Sequence, residues 1–198
     1  MKIWQIRVGI DNFSYLVQCE STGKAALVDP GSNASESMKM IGKYNMDLLF
    51  IINTHYHRDH NAENSRVAET YRCGIIASVI ESAFIPGVTR TIADGEVAMV
   101  GDVKLEFILT PGHTPGGMCI LVDDVALLTG DTLFIGDCGR TDLAEGSDQD
   151  MFNTLQRLRS LPDDLIVYPG HDYGDIPYDS LGNQKKRNKV FLADNLVN

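Results

Sequence analysis

Four times along this chain an apolar run ends in a short polar loop that carries a histidine or an aspartate. Leu48-Leu49-Phe50-Ile51-Ile52 leads into Thr54-His55-Tyr56-His57-Arg58-Asp59-His60. Leu105-Glu106-Phe107-Ile108-Leu109 leads into Thr110-Pro111-Gly112-His113. Ala126-Leu127-Leu128 leads into Thr129-Gly130-Asp131, and Leu165-Ile166-Val167-Tyr168 into Gly170-His171. Strands lying in packed sheets deliver such loops to one edge, where a rigid scaffold holds their polar side chains in a common space. All five histidines of the chain fall in these loops, so none remains for another task.

Imidazole is the commonest metal-ligating side chain. A hard or borderline divalent ion needs several neutral imidazoles and carboxylates around one small volume. In an extended segment residues i and i+2 face the same way, so His55 and His57 can grip one ion together. Asp59 and His60 lie where the chain turns into a helix and can face a second ion. His113 would complete the first site and His171 the second, and the two oxygens of Asp131 suit it to bridge both. A lone histidine is usually a satisfied core or surface group. Five of them with two aspartates need a reason, because burying polar groups without partners is costly.

Composition bounds the rest. A chain of 198 residues with 43% hydrophobic content is expected to form one domain, residues 1–198, with a sizeable core. A net charge of −10 argues against nucleic-acid partners, which need a basic face. The apolar run from Leu48 to Ile52 is far too short to span a bilayer, and Arg7, Asp11 and Asn12 interrupt any apolar leader. A cytoplasmic protein is expected. Cys19, Cys73, Cys119 and Cys138 show no paired short spacing and are read as reduced thiols, the first three as small apolar filling.

Apolar runs predict strands at 4–8, 14–18, 25–28, 97–100, 104–109, 118–122, 125–128 and 165–168. Asn33 with Glu36 resembles a capping box before a helix. Further helices are expected over about 62–71, from Ser147 with Asp150 in the box position, and over 181–192. The stretch between Ala77 and Gly95 shows no clear signature.

The ordered set Thr-His-x-His-x-Asp-His, Pro-Gly-His-Thr, Thr-Gly-Asp and Pro-Gly-His resembles that of the metallo-β-lactamase superfamily, from Asp29-Pro30-Gly31 to about His171. The resemblance implies an α+β fold, a four-layer αββα sandwich with metal at one edge of its two sheets. It implies His55, His57 and His113 on one ion, Asp59, His60 and His171 on a second, and Asp131 on both. Lactamases of the superfamily carry cysteine where this chain has Asp131. Gly130-Asp131-Thr132-Leu133-Phe134 with Cys138-Gly139-Arg140 instead resembles glyoxalase II and its relatives, which hydrolyse acylglutathione thioesters. That branch has an extra helical C-terminal domain, and the short tail after His171 leads us to expect none here.

The resulting expectation is a dinuclear metallohydrolase acting on a small thioester or ester, with Zn2+ first and Fe or Mn as alternatives. Two such ions share a hydroxide and polarise a carbonyl. Asp59 and Asp131 are then the catalytic carboxylates, and Arg140 and Tyr173 the candidate substrate contacts. Arg140 could equally form a structural ion pair with Asp137 or Asp142, and Tyr173 could be a packed loop aromatic. A glutathione thioester is the first substrate to consider, and a homo-oligomer is compatible with the resemblance. Arg140-Thr141-Asp142 and His171-Asp172-Tyr173 look more like the persulfide dioxygenase branch. This alternative implies a single Fe(II) on His55, His113 and Asp131. A non-catalytic metal-binding protein would be expected to have lost a ligand, and none is lost.

Overall fold

All nine strands expected from the sequence form, but they are only part of two six-stranded sheets. The computed structural model of the chain describes residues 1–192. The first sheet holds β1 (Lys2–Val8), β2 (Asn12–Gln18), β3 (Lys24–Val28), β4 (Asp47–Ile52), β5 (Gly74–Ser78) and β6 (Arg90–Ile92), side by side in chain order. β1 to β3 pair antiparallel, and β3 to β6 pair parallel. The second sheet holds β7 (Val97–Val100), β8 (Val103–Leu109), β9 (Met118–Val122), β10 (Ala126–Gly130), β11 (Ile166–Pro169) and β12 (Asp179–Ser180), also in sequential order. Only β10 and β11 are parallel there.

Side-chain alternation sorts the strands into layers. Along β2, Phe13, Tyr15 and Val17 point between the sheets, where they meet Leu105, Phe107 and Ile120 of the second sheet. Leu16 points the other way, with Leu27 and Ile51, onto Ile41 of α1 (Ser35–Lys43) and Val67 of α3 (Asn64–Tyr71). On the far side, Ile108, Cys119, Leu127 and Val167 pack under Met151, Leu155 and Leu158 of α4 (Asp148–Arg159). The same cluster takes in Leu181 of α5 (Leu181–Arg187) and Phe191 of α6 (Lys189–Leu192). Three apolar clusters thus separate four layers, and the αββα sandwich holds.

Several local expectations change. Asn33 does not cap α1: its Oδ1 accepts from the Ser35 N–H at 3.1 Å, the N-cap is Ala34, and Glu36 pairs with Lys39 instead. The helix expected over 62–71 begins at Asn64, after a separate turn α2 (Arg58–Asn61). The break lies where the Glu63 N–H donates to Gly31 O and the buried Asn64 side chain bonds to Asn53. The last helix divides at Asn188, whose amide donates to Phe134 O and Asp137 O, while its Oδ1 accepts from the Val190 N–H. Strand β6 lies within the stretch that showed no signature, and β5, which was not expected either, ends at its start. Cys19 is buried but is more than filling, since its sulfur accepts from the Asp102 N–H at 3.3 Å. Among the described residues, no helix is long and apolar enough to cross a membrane.

The strands that carry the histidine and aspartate loops, β4, β8, β10 and β11, end at one rim. Two backbone bonds stitch the sheets together there: Met118 N–H to Thr54 O at 2.9 Å, and Phe13 N–H to Gly170 O at 2.8 Å. The start of β2 is thereby brought to the same rim.

Candidate metal centre

All seven expected donors converge at that rim. Nitrogen and oxygen atoms of His55, His57 and His113 form one group within 4.8 Å of one another, and those of Asp59, His60 and His171 form another. Asp131 lies between them. Its Oδ2 is 3.3 Å from His171 Nε2, 3.5 Å from His113 Nε2 and 4.0 Å from His55 Nε2, and its Oδ1 is 3.3 Å from His60 Nε2. A Cβ on Gly170 would stand 2.4 Å from Asp131 Oδ1, so a residue without a side chain is what lets this carboxylate sit so close to the β11 loop.

Outer partners fix which ring nitrogen faces inward. His113 Nδ1 lies 2.8 Å from the Arg140 carbonyl, His60 Nδ1 3.0 Å from Asp29 Oδ2, and His171 Nδ1 3.1 Å from Asp11 Oδ1. Each partner can only accept, so each Nδ1 carries a proton, and it is Nε2 that faces the site and offers its lone pair there once the ring is neutral. For His55 the relay is longer: Nδ1 lies 3.1 Å from Thr54 Oγ1, and that hydroxyl donates to Asp29 at 2.7 Å. His57 is reversed, with Nδ1 inward at 3.0 Å from both His55 Nε2 and His113 Nε2. Three ring nitrogens that converge at these distances must share a proton or hold a cation between them. In addition, Asp131 Oδ1 is buried and accepts no hydrogen bond. Nitrogen and oxygen donors without thiolate suit a divalent ion of hard or borderline character, and the residues present fit one.

The site's electrostatics are those of a cation trap. Burial pushes the Asp131 carboxyl up, but His60, His171 and His55 outweigh it and hold the group well below the usual carboxylate range. Burial pulls His60 down, yet Asp131, Asp29 and Asp59 together hold it up at about 9. Burial and the neighbouring histidines hold His55 and His57 below the ordinary imidazole value. Asp59 is lowered against its own burial by His60 and by a 2.8 Å bond from Asn12 Nδ2.

The two candidate substrate contacts lie on the rim of this centre. Arg140 and Tyr173, with His113, Asp131 and Phe134, line a cavity of about 180 Å³. Tyr173 is 57% exposed and stacks on the His171 ring at 4.8 Å, so it is packed on one face and open on the other. The Arg140 guanidinium is clasped by both oxygens of Asp142, at 2.6 and 2.8 Å. Of its two readings, the ion pair is therefore present, and with Asp142 rather than Asp137. Cys138 lines the same cavity, but burial pushes its thiol up to about 11, against a nucleophile's role.

Sequence reasoning missed Asp11, Asn12 and Glu81. Asp11 and Asn12 entered it only as interruptions of an apolar leader. The available signal was two adjacent polar residues at the mouth of an otherwise apolar strand. Asp29, which entered only as the start of the family resemblance, reaches both Thr54 and His60 with its side chain.

Fold and rim together define a metal-centred αββα sandwich. The family model of the metallo-beta-lactamase superfamily matches residues 9–171. The hydroxyacylglutathione hydrolase of Rhodospirillum rubrum is 37% identical over 174 residues, covering 87% of this chain and 67% of that protein. Among solved structures, a metallo-beta-lactamase from Staphylococcus aureus superposes with a TM-score of 0.89 at 29% identity, covering 99% of this chain and 64% of that one. ETHE1 from Myxococcus xanthus superposes with a TM-score of 0.87 at 29% identity, covering 96% and 84%. The chain spans about two thirds of the length of the curated relatives it matches. It belongs to the metallo-β-lactamase superfamily.

Proposed function

We propose that the protein is a metal-dependent hydrolase of small thioesters or esters, with hydroxyacylglutathione-type thioesters as the leading substrate class. The observation that carries this reading is the pair of donor groups joined by Asp131, His55–His57–His113 on one side and Asp59–His60–His171 on the other. The likeness to hydroxyacylglutathione hydrolases supports the substrate class. Two divalent ions, zinc before iron or manganese, would supply Lewis acidity and a water-derived nucleophile at neutral pH.

The chain's own residues do the rest. Asp131 stays ionised through its histidine neighbours and so presents a fixed negative charge to both donor groups. Asp59, oriented by Asn12 and about half-exposed, faces the mouth and can orient a water at the open side of the site. Arg140 and Tyr173 flank the cavity where a substrate's thiol portion would lie. The four cysteines are all free, which accords with a cytoplasmic location.

The test is elemental analysis of anaerobically purified protein, joined to a thioester panel that starts with lactoylglutathione. Two metals per chain and thioester turnover that stops on chelation are expected. One iron, no thioester turnover and oxygen uptake with glutathione persulfide would replace this reading with the dioxygenase. The segments Arg140-Thr141-Asp142 and His171-Asp172-Tyr173 favour that alternative. Its three ligands also converge, with Asp131 Oδ2 beside both His55 and His113.

The Arg140–Asp142 clasp yields its own prediction. Arg140→Ala should raise KM for an anionic thioester roughly tenfold, as expected for loss of one charged hydrogen bond, and leave kcat nearly unchanged. Asp142→Asn frees the guanidinium and should lower that KM. Initial-rate kinetics on an anionic and an uncharged thioester read both, and identical KM values across the three proteins would remove Arg140 from substrate binding.

A further inference from the structure

Glu81 is a carboxylate at 0% exposure, on a single 3-10 turn (Glu81–Ala83) that follows β5. Nothing in the chemistry proposed above uses it. Its Oε2 accepts the Tyr56 N–H at 2.7 Å, and its Oε1 accepts the Gly116 N–H at 2.8 Å. Tyr56 stands between His55 and His57, and Gly116 lies three residues after His113. One side chain thus holds the backbone of two loops that leave different sheets. Ser78 reinforces the contact: its hydroxyl donates to Gly116 O at 2.6 Å and accepts the Glu81 N–H at 3.1 Å. A Cβ on Gly116 would stand 2.6 Å from Ile80 Cβ and 3.0 Å from Glu81 Oε1, so glycine is what allows the His113 loop to settle on this turn.

Burial pushes the Glu81 carboxyl up, and the Thr114 side chain, together with the Gly116 and Tyr56 N–H groups, opposes that rise. No cation offsets the charge among the described residues, and burying an ion without one is unfavourable. The expense has a geometric return. A carboxylate can accept from two separate N–H groups on its two oxygens, whereas glutamine can accept through only one and turns its NH₂ toward the other.

We propose that Glu81 is a positioning residue for the His55–His57–His113 group, setting the spacing of these three donors for a divalent cation by clamping Tyr56 and Gly116 together. Its reach ends there. The Asp59–His60–His171 group is held by Asn12, Asp29 and Asp11, none of which Glu81 touches. The inference rests on the metal-centre reading above.

Cobalt(II) titration of metal-free protein, followed by d–d absorption, tests it in two backgrounds. His171→Ala leaves the first donor group whole, and His113→Ala leaves the second whole. Adding Glu81→Gln should weaken cobalt binding in the His171→Ala protein by roughly 10–100-fold and alter its d–d spectrum, as loss of an outer partner of a metal ligand does. In the His113→Ala protein the same change should shift affinity by less than about threefold on that scale. Equal weakening in both backgrounds, the mark of general destabilisation, would overturn the proposal, as would no weakening in the first. Glu81→Asp, which keeps the charge but withdraws it by one methylene, gives the same readout if the glutamine variant does not fold. A wild-type protein that binds no cobalt would overturn the metal-centre reading itself. A wild type that binds two ions, with its first group indifferent to Glu81, overturns only the role of Glu81.

Discussion

Asp131→Asn is expected to cut thioester hydrolysis by about 10³-fold or more, equivalent to about 4 kcal/mol of barrier, and to lower the metal content of the protein. Among the described residues, Asp131 is the one carboxylate that touches both donor groups: Oδ2 approaches His171, His113 and His55, and Oδ1 approaches His60. Asp59, by comparison, approaches only His60 and His171. Asparagine keeps the shape and one acceptor but removes the charge that several imidazoles face. It also places an NH₂ donor where a cation would sit. Both donor groups lose their shared anchor, so the damage exceeds that of a change at the rim such as Arg140→Ala. Loss of thioester absorbance gives the rate, and elemental analysis of the same sample gives the occupancy. Activity within tenfold of wild type at unchanged occupancy would remove Asp131 from the chemistry.

The inner donors were legible in the sequence because their chemistry is rare and their context repeats. A histidine or aspartate just beyond an apolar strand is informative even before any strand is paired. The residues that aim those donors were not legible, for a physical reason. Asp11, Asp29 and Glu81 are single acidic residues, and each acquires its role only when a loop from another strand is stacked against it. Glu81 reaches across 25 positions to Tyr56 and 35 to Gly116, separations that no local pattern encodes. The same limit hid β5 and β6. Gly74-Ile75-Ile76-Ala77-Ser78 is a short apolar run with no alternation, because a parallel strand buried on both faces needs none. The helix ends shifted where side-chain amides, Asn64 and Asn188, bonded to distant backbone or side chains in place of the neighbours that propensity assumes.

Removing metal should lower the melting temperature by about 8–16 °C at pH 7, and the gap should widen as pH rises toward 9. A ligand at a thousand times its dissociation constant adds about 4 kcal/mol to stability, and each kcal/mol moves the melting point of a chain this size by about 2–4 °C. The pH trend comes from His60. Burial pulls its pKa down, but Asp131, Asp29 and Asp59 outweigh that and hold it at about 9, above its ordinary value of 6.5. In metal-free protein the charged ring therefore stabilises the fold fully below about pH 6.5 and loses that contribution as pH rises through about 9. His55 and His57, held low, favour the fold as pH rises only up to about 6.5, so they do not reverse the trend above it. A bound ion requires the neutral ring and takes over the charge that the proton supplied. Loading must then release a proton from His60, and affinity should climb with pH until that proton is gone. Scanning calorimetry of chelated and reloaded protein at pH 7, 8 and 9 measures the gap. Titration calorimetry in buffers of different ionisation enthalpy counts the protons. Melting points that coincide with and without metal, or loading that releases no proton at pH 7, would mean that the buried charge at His60 is balanced without a cation.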